Sequence, residues 1–300
     1  MSVSATSAFY LILLSALWGG SFLFLRIAAP VLGPVPLIFA RVLLAALFLT
    51  AVGRFLKKLF DLRGNARHYF IIGVFNSALP FLLFAYAAQT VSASLLSILN
   101  ATAPLWAALI GACWHRSPLG RKQLIGLMLG VAGVWVLAGI EFESLQGSGW
   151  SALAAGLAAA ISYGIASTYA GSAKSVDPFA NAHGSMWAAS LVCLPLLFLP
   201  ATTDFEMPSI GIAAAVFTLG VFCSGFAYLL YFRLIADIGA VSALCVTFLI
   251  PVFGVLFGFL FLNEPIGLHT IAGAAMVLAG TALVVNFSPA ALLKQKPTAR

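Results

Sequence analysis

Two segments of this 300-residue chain repeat each other almost letter for letter, and the repeat continues at a constant offset. Gly73–Ser77 reads GVFNS, and Gly220–Ser224, 147 positions later, reads GVFCS. The same offset gives further identical pairs: Ala93 with Ala240, Pro104 with Pro251, Gly111 with Gly258, Pro118 with Pro265, Gly126 with Gly273 and Gly133 with Gly280. A duplication of this length within apolar sequence is typical of secondary transporters. It constrains the fold more than any single residue does.

The composition predicts a membrane protein. Hydrophobic residues make up 62% of the chain and charged residues 8%, whereas about a quarter of the residues in soluble domains are charged. A bilayer core takes about 20 apolar residues per helix. On that measure the chain holds ten spans, at 8–28, 35–55, 69–88, 92–114, 122–140, 150–172, 179–200, 210–234, 240–261 and 267–287. We therefore expect an all-α polytopic membrane protein with ten transmembrane helices. Two five-helix repeats, 1–145 and 146–289, precede a tail at 290–300.

The charged loops predict the orientation. With alternate loops on opposite sides, thirteen basic residues share one face: Arg54, Lys57, Lys58, Arg63, Arg67, Arg116, Arg121, Lys122, Lys174, Arg233, Lys294, Lys296 and Arg300. Only Arg26 falls on the other face. Cytoplasmic loops carry the excess of Lys and Arg, so both termini and the tail are expected in the cytoplasm. The net charge of +7 then indicates orientation rather than a nucleic-acid partner. The first apolar run is too long for a cleaved signal peptide and indicates a retained span.

The repeats are expected to be inverted. Because each has five spans, an odd number, the second copy must enter the membrane the other way up. Inverted repeats have two nearly equivalent conformations, one open to each side, and this is the physical basis of alternating access. The first two spans of each half align less closely. Trp18-Gly19 aligns with Tyr163-Gly164, Pro36 with Pro178, and Arg41 with His183.

Several short motifs resemble those of a known family. They are Trp18-Gly19-Gly20-Ser21, the run from Arg41 to Ala45, Asn263-Glu264-Pro265 and the glycine-spaced stretch from Gly273 to Gly280. With the paired halves they resemble the EamA-type drug/metabolite transporter superfamily over nearly the whole chain, and within it the YddG-type amino-acid exporters. The resemblance implies a bacterial inner-membrane exporter with a central cavity between the halves. The first repeat departs from the second in having Ser117-Pro118 where the second has Glu264-Pro265.

Three prolines near the middle of spans are predicted to expose polar backbone. A proline removes the N–H that would bond the carbonyl four residues earlier. The three carbonyls freed in this way are that of Asn76 by Pro80, that of Asn100 by Pro104 and that of Thr247 by Pro251. Asn100 and Thr247 are repeat mates. Unsatisfied backbone in hydrocarbon survives where it lines a cavity or meets a partner. We expect a polar collar for a substrate ammonium group, with the prolines as hinges. Alternatively, these side chains bond neighbouring helices and the prolines only kink the spans.

Aromatic and small polar side chains near the middle of the spans complete the candidate binding site. Aromatic rings offer flat apolar area and a π face for a ring or a cation, although most membrane aromatics simply pack or anchor helices at the interface. The candidate substrate-binding residues are Trp18, Ser21, Asn76, Phe81, Ser97, Asn100, Trp106, Tyr163, Tyr228 and Thr247.

Ionisable residues inside the membrane are scarce. None of the eight carboxylates lies near mid-membrane, which disfavours proton pumps and cationic drug antiporters. No metal-binding cluster, cofactor motif or catalytic constellation is present in the sequence, and the four cysteines have no metal-type spacing. We expect Arg41 to snorkel or bond carbonyls at a helix junction, with attraction of anions as the alternative. His183 is a candidate for proton coupling, with a hydrogen-bonded packing histidine as the alternative.

Glycines predict which helices lie at the periphery. Gly126, Gly130 and Gly133 in span 5 and Gly273 and Gly280 in span 10 allow close helix contact. Because these spans carry almost no polar groups, we expect them to act as braces or as the face of a homodimer. Spans 1, 3, 4, 6, 8 and 9 are then expected to surround the cavity.

The sequence thus predicts a secondary transporter that exports small organic metabolites by alternating access. Amino acids or similar zwitterions, aromatic ones included, are the expected substrates. The chain has no phosphate-binding motif of the Gly-x4-Gly-Lys-Ser/Thr type, so transport is expected to be passive or gradient-driven. A broad-specificity efflux protein for drugs or aromatic cations is the nearest alternative. A non-transporting membrane scaffold or sensor is the alternative from another class.

Overall fold

A computed structural model describes residues 5–58, 62–140, 149–174, 176–199, 208–239, 243 and 245–285. These residues form ten helical segments, one at each predicted span, and no strand occurs among them. Seven helices are long and apolar enough to cross a membrane, and one more is apolar but shorter. The prediction of an all-α polytopic membrane protein is therefore confirmed.

The helices are numbered in chain order. α1 is Ala5–Leu32, α2 is Pro34–Phe55, α3 comprises Leu62–Gly73, a π-helical turn Val74–Ala78 and Leu79–Ala87, α4 comprises Ala93–Asn100 and Ala103–Trp114, α5 is Arg121–Ile140, α6 is Gly149–Ser172, α7 is Pro178–Cys193, α8 comprises Ile210–Phe217, a π-helical stretch Thr218–Phe226 and Ala227–Ile238, α9 is Cys245–Leu262 and α10 is Leu268–Val284. The even-numbered helices α2 to α8 end at the side where most Lys and Arg residues lie, here called the basic end.

The two halves interlock rather than sit side by side. α1 packs on α9, α2 on α8, α7 on α3, α6 on α3 and α4, and α5 on α10, so each of these contacts joins one half to the other. Neither half could keep these faces buried alone. The core is consequently a single cluster drawn from both halves.

Close helix approaches at glycine show the symmetry between the halves. A Cβ atom on Gly19 of α1 would lie 2.6 Å from the Cβ of Phe253 in α9, and one on Gly164 of α6 would lie 3.0 Å from the Cβ of Trp106 in α4. Phe253 and Trp106 are themselves repeat mates at the 147-residue offset. The alignment of Gly19 with Gly164 therefore agrees with the packing.

A second pair of glycine contacts corrects the alignment of Arg41. A Cβ on Gly73 would lie 2.8 Å from the carbonyl oxygen of Ser185, and one on its repeat mate Gly220 would lie 2.9 Å from the carbonyl oxygen of Arg41. The structural counterpart of Arg41 is thus Ser185 and not His183. The offset between the halves is therefore 144 residues at Arg41, two more than the alignment of Arg41 with His183 assumed.

The repeated segments GVFNS and GVFCS both fold as π-helical turns. In α3 the turn lies just before Pro80, and the amide of Leu79 donates to the carbonyl of Val74, five residues earlier. In α8 no proline follows, yet the π-helical stretch is longer and the hydroxyl of Ser224 donates to the carbonyl of Leu219. The widened turn is therefore a property of the repeat. Such turns occur often at functional sites because they redirect side chains and backbone.

The three central prolines have different local structures. α4 is broken at Ala101 and Thr102, and Pro104 lies in the first turn after the break. The carbonyl of Ala101 accepts a hydrogen bond of 2.9 Å from the hydroxyl of Thr281 in α10. Pro251 instead lies inside the uninterrupted helix α9. A break in the helix thus accompanies Pro104 but not Pro251.

Candidate functional site

A cavity of about 670 Å³ lies between the two halves. Nine of the ten helices contribute lining residues, and among the described residues α5 contributes none. Spans 1, 3, 4, 6, 8 and 9 were expected to surround it, but α2, α7 and α10 also reach it through Arg41, Ser185 and Thr281. α10 is therefore not a purely peripheral brace, because its C-terminal end turns inward behind the break in α4.

Eight of the ten candidate substrate-binding residues line this cavity. They are Trp18, Ser21, Asn76, Phe81, Asn100, Tyr163, Tyr228 and Thr247, and the predicted hinge Pro104 lines it as well. The other five candidates, Ser97, Trp106, Pro80, Pro251 and His183, are not among the lining residues. The structure thus brings together residues from α1, α3, α4, α6, α8 and α9 that are far apart in the sequence.

Ser97 faces a neighbouring helix instead of the cavity. It is fully buried, and its hydroxyl donates to the carbonyl of Ser94 at 2.8 Å. Its side chain packs directly against Gly254 of α9, where a Cβ atom would collide with it. Ser97 therefore holds α4 against α9.

Trp106 contributes to the architecture around the break in α4. Its indole nitrogen donates to the hydroxyl of Thr102 at 3.2 Å, and that hydroxyl donates to the carbonyl of Leu99 at 2.6 Å. The backbone of Trp106 also packs against Gly164 of α6. Trp106 therefore lies beside the lining face of α4, which Asn100, Pro104 and Ala108 form, and not on it.

Aromatic rings form one wall of the cavity. Trp18 of α1 lies 5.4 Å from Tyr231 and 6.4 Å from Tyr228, measured between ring centroids. Both tyrosines belong to α8, so this wall joins the first half to the second. Rings at these separations contribute apolar area and a π face together.

Polar side chains share the cavity with these rings. The amide nitrogen of Asn76 donates to the hydroxyl of Tyr228 at 3.2 Å, which links the π-helical turn of α3 to α8. Asn100 and Thr247, the predicted pair of repeat mates, both line the cavity. Asn181 and Ser185 of α7 also line it, although the sequence analysis did not propose them. The signal for Ser185 is its symmetry with Arg41, and Asn181 lies one helical turn before it.

Arg41 lines the cavity, and the expectation that it snorkels is wrong. Its side chain is only 4% exposed. The Nε atom donates to the hydroxyl of Ser224 at 3.0 Å, and the guanidinium carbon lies 3.7 Å from the centroid of the Phe81 ring. Its guanidinium bonds to α8 and stacks on α3.

His183 lies between α2 and α7 behind the cavity wall. Its Nε2 atom is 2.8 Å from the hydroxyl oxygen of Thr50. That hydroxyl donates its one hydrogen to the carbonyl of Ala46 at 2.7 Å and accepts from the indole nitrogen of Trp187 at 3.0 Å. Because the hydrogen of Thr50 is already used, Nε2 of His183 is the donor in their bond. The bond joins α7 to α2 at a point outside the cavity lining.

Two polar contacts tie together the end of the bundle opposite the basic end, one between the halves and one within the first half. The carboxylate of Glu264 accepts hydrogen bonds from the amides of Ala93 and Ser94 at the start of α4. The guanidinium of Arg26 donates to the carbonyl of Ala88 at 2.7 Å. The lining residues Val246 and Ile250 of α9 and Thr281 and Val284 of α10 instead lie in the halves of those helices nearer the basic end. The cavity is thus displaced toward the basic end.

Metal chemistry has no support in the described part of the chain. No group of three or more His, Cys, Asp or Glu residues occurs there that could hold a metal ion. Cys193 and Cys223 are buried, whereas Cys113 near the end of α4 is exposed. The described site consists of aromatic, amide, hydroxyl and guanidinium groups.

Comparison with known proteins gives a consistent result. The model of the EamA-like transporter family matches residues 5–139 and again residues 150–286. An uncharacterized transporter of Archaeoglobus fulgidus is 24% identical over 218 residues, covering 72% of this chain and 76% of the relative. The uncharacterized transporter YoaV of Bacillus subtilis is 25% identical, with coverages of 78% and 82%. Protein PagO of Salmonella typhimurium is 26% identical, with 81% of each chain covered.

A solved crystal structure has the same fold. It covers 97% of this chain and 99% of its own, with a TM-score of 0.64 and 17% sequence identity. At that identity the likeness supports the architecture alone. The two matches to the family model together span most of the sequence, one in each half. The chain is a multi-pass membrane protein and belongs to the EamA-like transporter family.

Proposed function

We propose that this protein exports small zwitterionic metabolites, amino acids with aromatic side chains among them, by alternating access through the central cavity. The observation that supports this most is the lining itself. Aromatic rings, amides, hydroxyls and one guanidinium surround a volume of about 670 Å³. Small-molecule sites generally enclose roughly 300–1,000 Å³, so a solute of amino-acid size is accommodated.

The ammonium group and the aromatic side chain of such a solute have chemically distinct counterparts in the cavity. Carbonyl and side-chain oxygens of Asn100 and Thr247 can accept hydrogen bonds from an ammonium group. Trp18 and Tyr231 offer π faces to an aromatic side chain or to the same ammonium group. This arrangement supports an amino-acid exporter of the YddG type as the subclass within the family.

The conformation is consistent with one half of an alternating-access cycle. We assign the basic end to the cytoplasm of a bacterial inner membrane, with both termini on that side, because cytoplasmic loops carry the excess of Lys and Arg. The cavity is displaced toward this end, and the contacts of Glu264 and Arg26 tie the other end together. The structure then corresponds to an inward-facing state, and the inverted repeat supplies an outward-facing counterpart.

A broad-specificity exporter of aromatic cations is the second candidate, and the aromatic wall favours it. The buried guanidinium of Arg41 disfavours it, because like charges in a low-dielectric cavity repel strongly. None of the described carboxylates lines the cavity to offset this charge. The zwitterion is therefore the better-supported substrate.

Uptake of labelled phenylalanine and threonine into proteoliposomes tests the proposal. Purified protein is reconstituted, and uptake is measured with and without an imposed pH gradient, with protein-free liposomes as the control. We expect saturable uptake of at least one of the two. Absence of uptake of both, together with saturable binding of a quaternary aromatic cation that phenylalanine does not displace, would establish the cation exporter instead. No flux of any solute would favour a scaffold or sensor.

A further inference from the structure

We propose that Arg41 binds the anionic group of the transported solute, so that a carboxylate is required for recognition in this cavity. The inference rests on the proposed transport function and names the substrate class of the same site. A substrate without an anionic group, such as a simple amine, would then be a poor ligand.

The backbone around Arg41 is held in place by a close helix contact. The carbonyl oxygen of Arg41 lies 2.9 Å from the position that a Cβ atom on Gly220 would occupy. α2 and the π-helical stretch of α8 therefore touch at backbone level, and Gly220 belongs to the segment that is repeated in the sequence. Because both backbones are fixed, the guanidinium is presented at a defined point of the cavity wall.

The hydrogen bond to Ser224 orients the guanidinium. The hydroxyl of Ser224 donates to the carbonyl of Leu219 at 2.9 Å, so its oxygen lone pairs are directed to the Nε atom of Arg41 at 3.0 Å. A guanidinium carries five N–H donors in a planar fork. One of them is used here, and one face of the plane is covered by Phe81 at 3.7 Å.

The terminal nitrogens of Arg41 remain for a ligand. Within the described residues, the bond from Nε to Ser224 is the hydrogen bond that this side chain makes to protein. The planar edge formed by the two terminal nitrogens matches a group with two oxygen atoms, which it can bind by two parallel hydrogen bonds. A carboxylate has this geometry.

Nothing among the described residues neutralises the charge of Arg41. Three of the eight carboxylates lie in described segments, and each is engaged elsewhere. Asp177 accepts from the amide of Ala180 at the start of α7, Asp237 pairs with Arg233 at 3.1 Å, and Glu264 caps α4. Removing a charge from water costs several kcal/mol unless a partner compensates. A solute that brings its own carboxylate supplies that compensation.

The charge is present in one half only. Ser185, the structural counterpart of Arg41, also lines the cavity and carries no charge. A zwitterion can therefore bind in one orientation, with its carboxylate at the contact between α2 and α8. Its ammonium group is left to the oxygens of α4 and α9, where Asn100 and Thr247 lie.

Competition for labelled phenylalanine uptake by the wild-type protein tests the inference without any variant having to fold. The competitors are unlabelled phenylalanine, phenylalaninamide, phenethylamine and inorganic phosphate. Under the proposal, phenylalanine competes at least about tenfold better than the amide or the amine, which corresponds to ~1.4 kcal/mol. Equal competition by these three overturns the inference and leaves the transport function standing. If phosphate competes at the concentration at which unlabelled phenylalanine does, the claim that the recognised group is a carboxylate is overturned.

Variants of Arg41 give an independent arm. R41Q removes the charge and R41K keeps it without the planar fork, while R54Q is the matched control, because Arg54 is exposed at the end of the same helix and does not line the cavity. We expect R41Q to lose at least about tenfold in uptake, R41K to retain part of it and R54Q to stay within about twofold of wild type. If folded R41Q discriminates between phenylalanine and its amide as strongly as the wild-type protein does, the inference is overturned. Absence of uptake by the wild-type protein would overturn the proposed function instead.

Discussion

The carboxylate of Glu264 accepts hydrogen bonds from both the backbone amide and the hydroxyl of Ser94, at 3.0 and 2.6 Å. Its other oxygen accepts from the amide of Ala93 at 2.7 Å. A residue in the connection between α9 and α10 thereby caps the N-terminus of α4, and the second half is tied to the first. The corresponding position in the first half is Ser117, so the charged cap exists once.

The E264A substitution should destabilise the protein. Loss of an N-terminal cap costs about 1–2 kcal/mol, because free amides at the helix start are left without an acceptor. We expect a lower midpoint of thermal unfolding in detergent for E264A and a smaller decrease for S94A, which removes only the hydroxyl bond. An unchanged midpoint in E264A would show that this contact contributes nothing to the closed end.

The packing of α5 on α10 should be intolerant of a single methyl group at Gly126. A Cβ atom there would lie 2.6 Å from the carbonyl oxygen of Gly280. Because this neighbour is backbone, the helices must separate, and overpacking of this kind costs about 1–3 kcal/mol. G126A should lower the unfolding midpoint, whereas G171A should not, since nothing lies within 4 Å of a Cβ at Gly171. Equal midpoints for the two variants would argue against the close contact.

Asn100 and Trp106 should differ in their effect on transport. Asn100 lines the cavity, whereas Trp106 bonds to Thr102 within α4. We expect N100A to lower the rate of phenylalanine uptake at least about tenfold and W106F to stay within about threefold of wild type, with each rate normalised to folded protein. The reverse order would place Trp106 in the transport path and contradict its position outside the cavity lining.

The histidine in α7 should not couple transport to protons. His183 donates to Thr50 between two helices, and a glutamine can place an amide donor at a similar position. H183Q should therefore leave the ratio of uptake with and without a pH gradient equal to that of wild type. T50V, which removes the acceptor, serves as the control for packing and should lower stability. If H183Q abolishes a gradient response that the wild type shows, His183 takes part in coupling.

Hydropathy predicted a helix at each of ten places, with bounds up to seven residues from the observed ones, because the cost of polar backbone in hydrocarbon imposes long apolar helices. The prolines and their polar neighbours likewise indicated Asn76, Asn100 and Thr247, since proline removes a backbone donor wherever the helix goes. These inferences needed only local chemistry. They required no knowledge of which helix faces which.

Helix rotation was the part that the sequence could not supply. Ser97 and Trp106 lie in the same helix as Asn100, yet Ser97 packs on α9 and Trp106 bonds to Thr102, and no local pattern in the sequence indicates this. Each π-helical turn adds a residue to a turn and rotates everything beyond it. The sequence also paired Arg41 with the wrong residue of the second half. Its counterpart Ser185 is identified only by the helix contacts of Gly73 and Gly220.

Thiol labelling at Ser167 tests most directly whether the central cavity is the path of the solute. Ser167 of α6 lines the cavity and is exposed within it, and Ser117 in the connection after α4 is an exposed control outside it. S167C and S117C are made in a protein whose four cysteines are replaced by alanine and whose uptake is retained. The prediction is that a maleimide at position 167 stops phenylalanine uptake, that phenylalanine slows this labelling and that neither effect occurs at position 117. Undiminished uptake by fully labelled S167C would contradict the assignment of the cavity as the transport site.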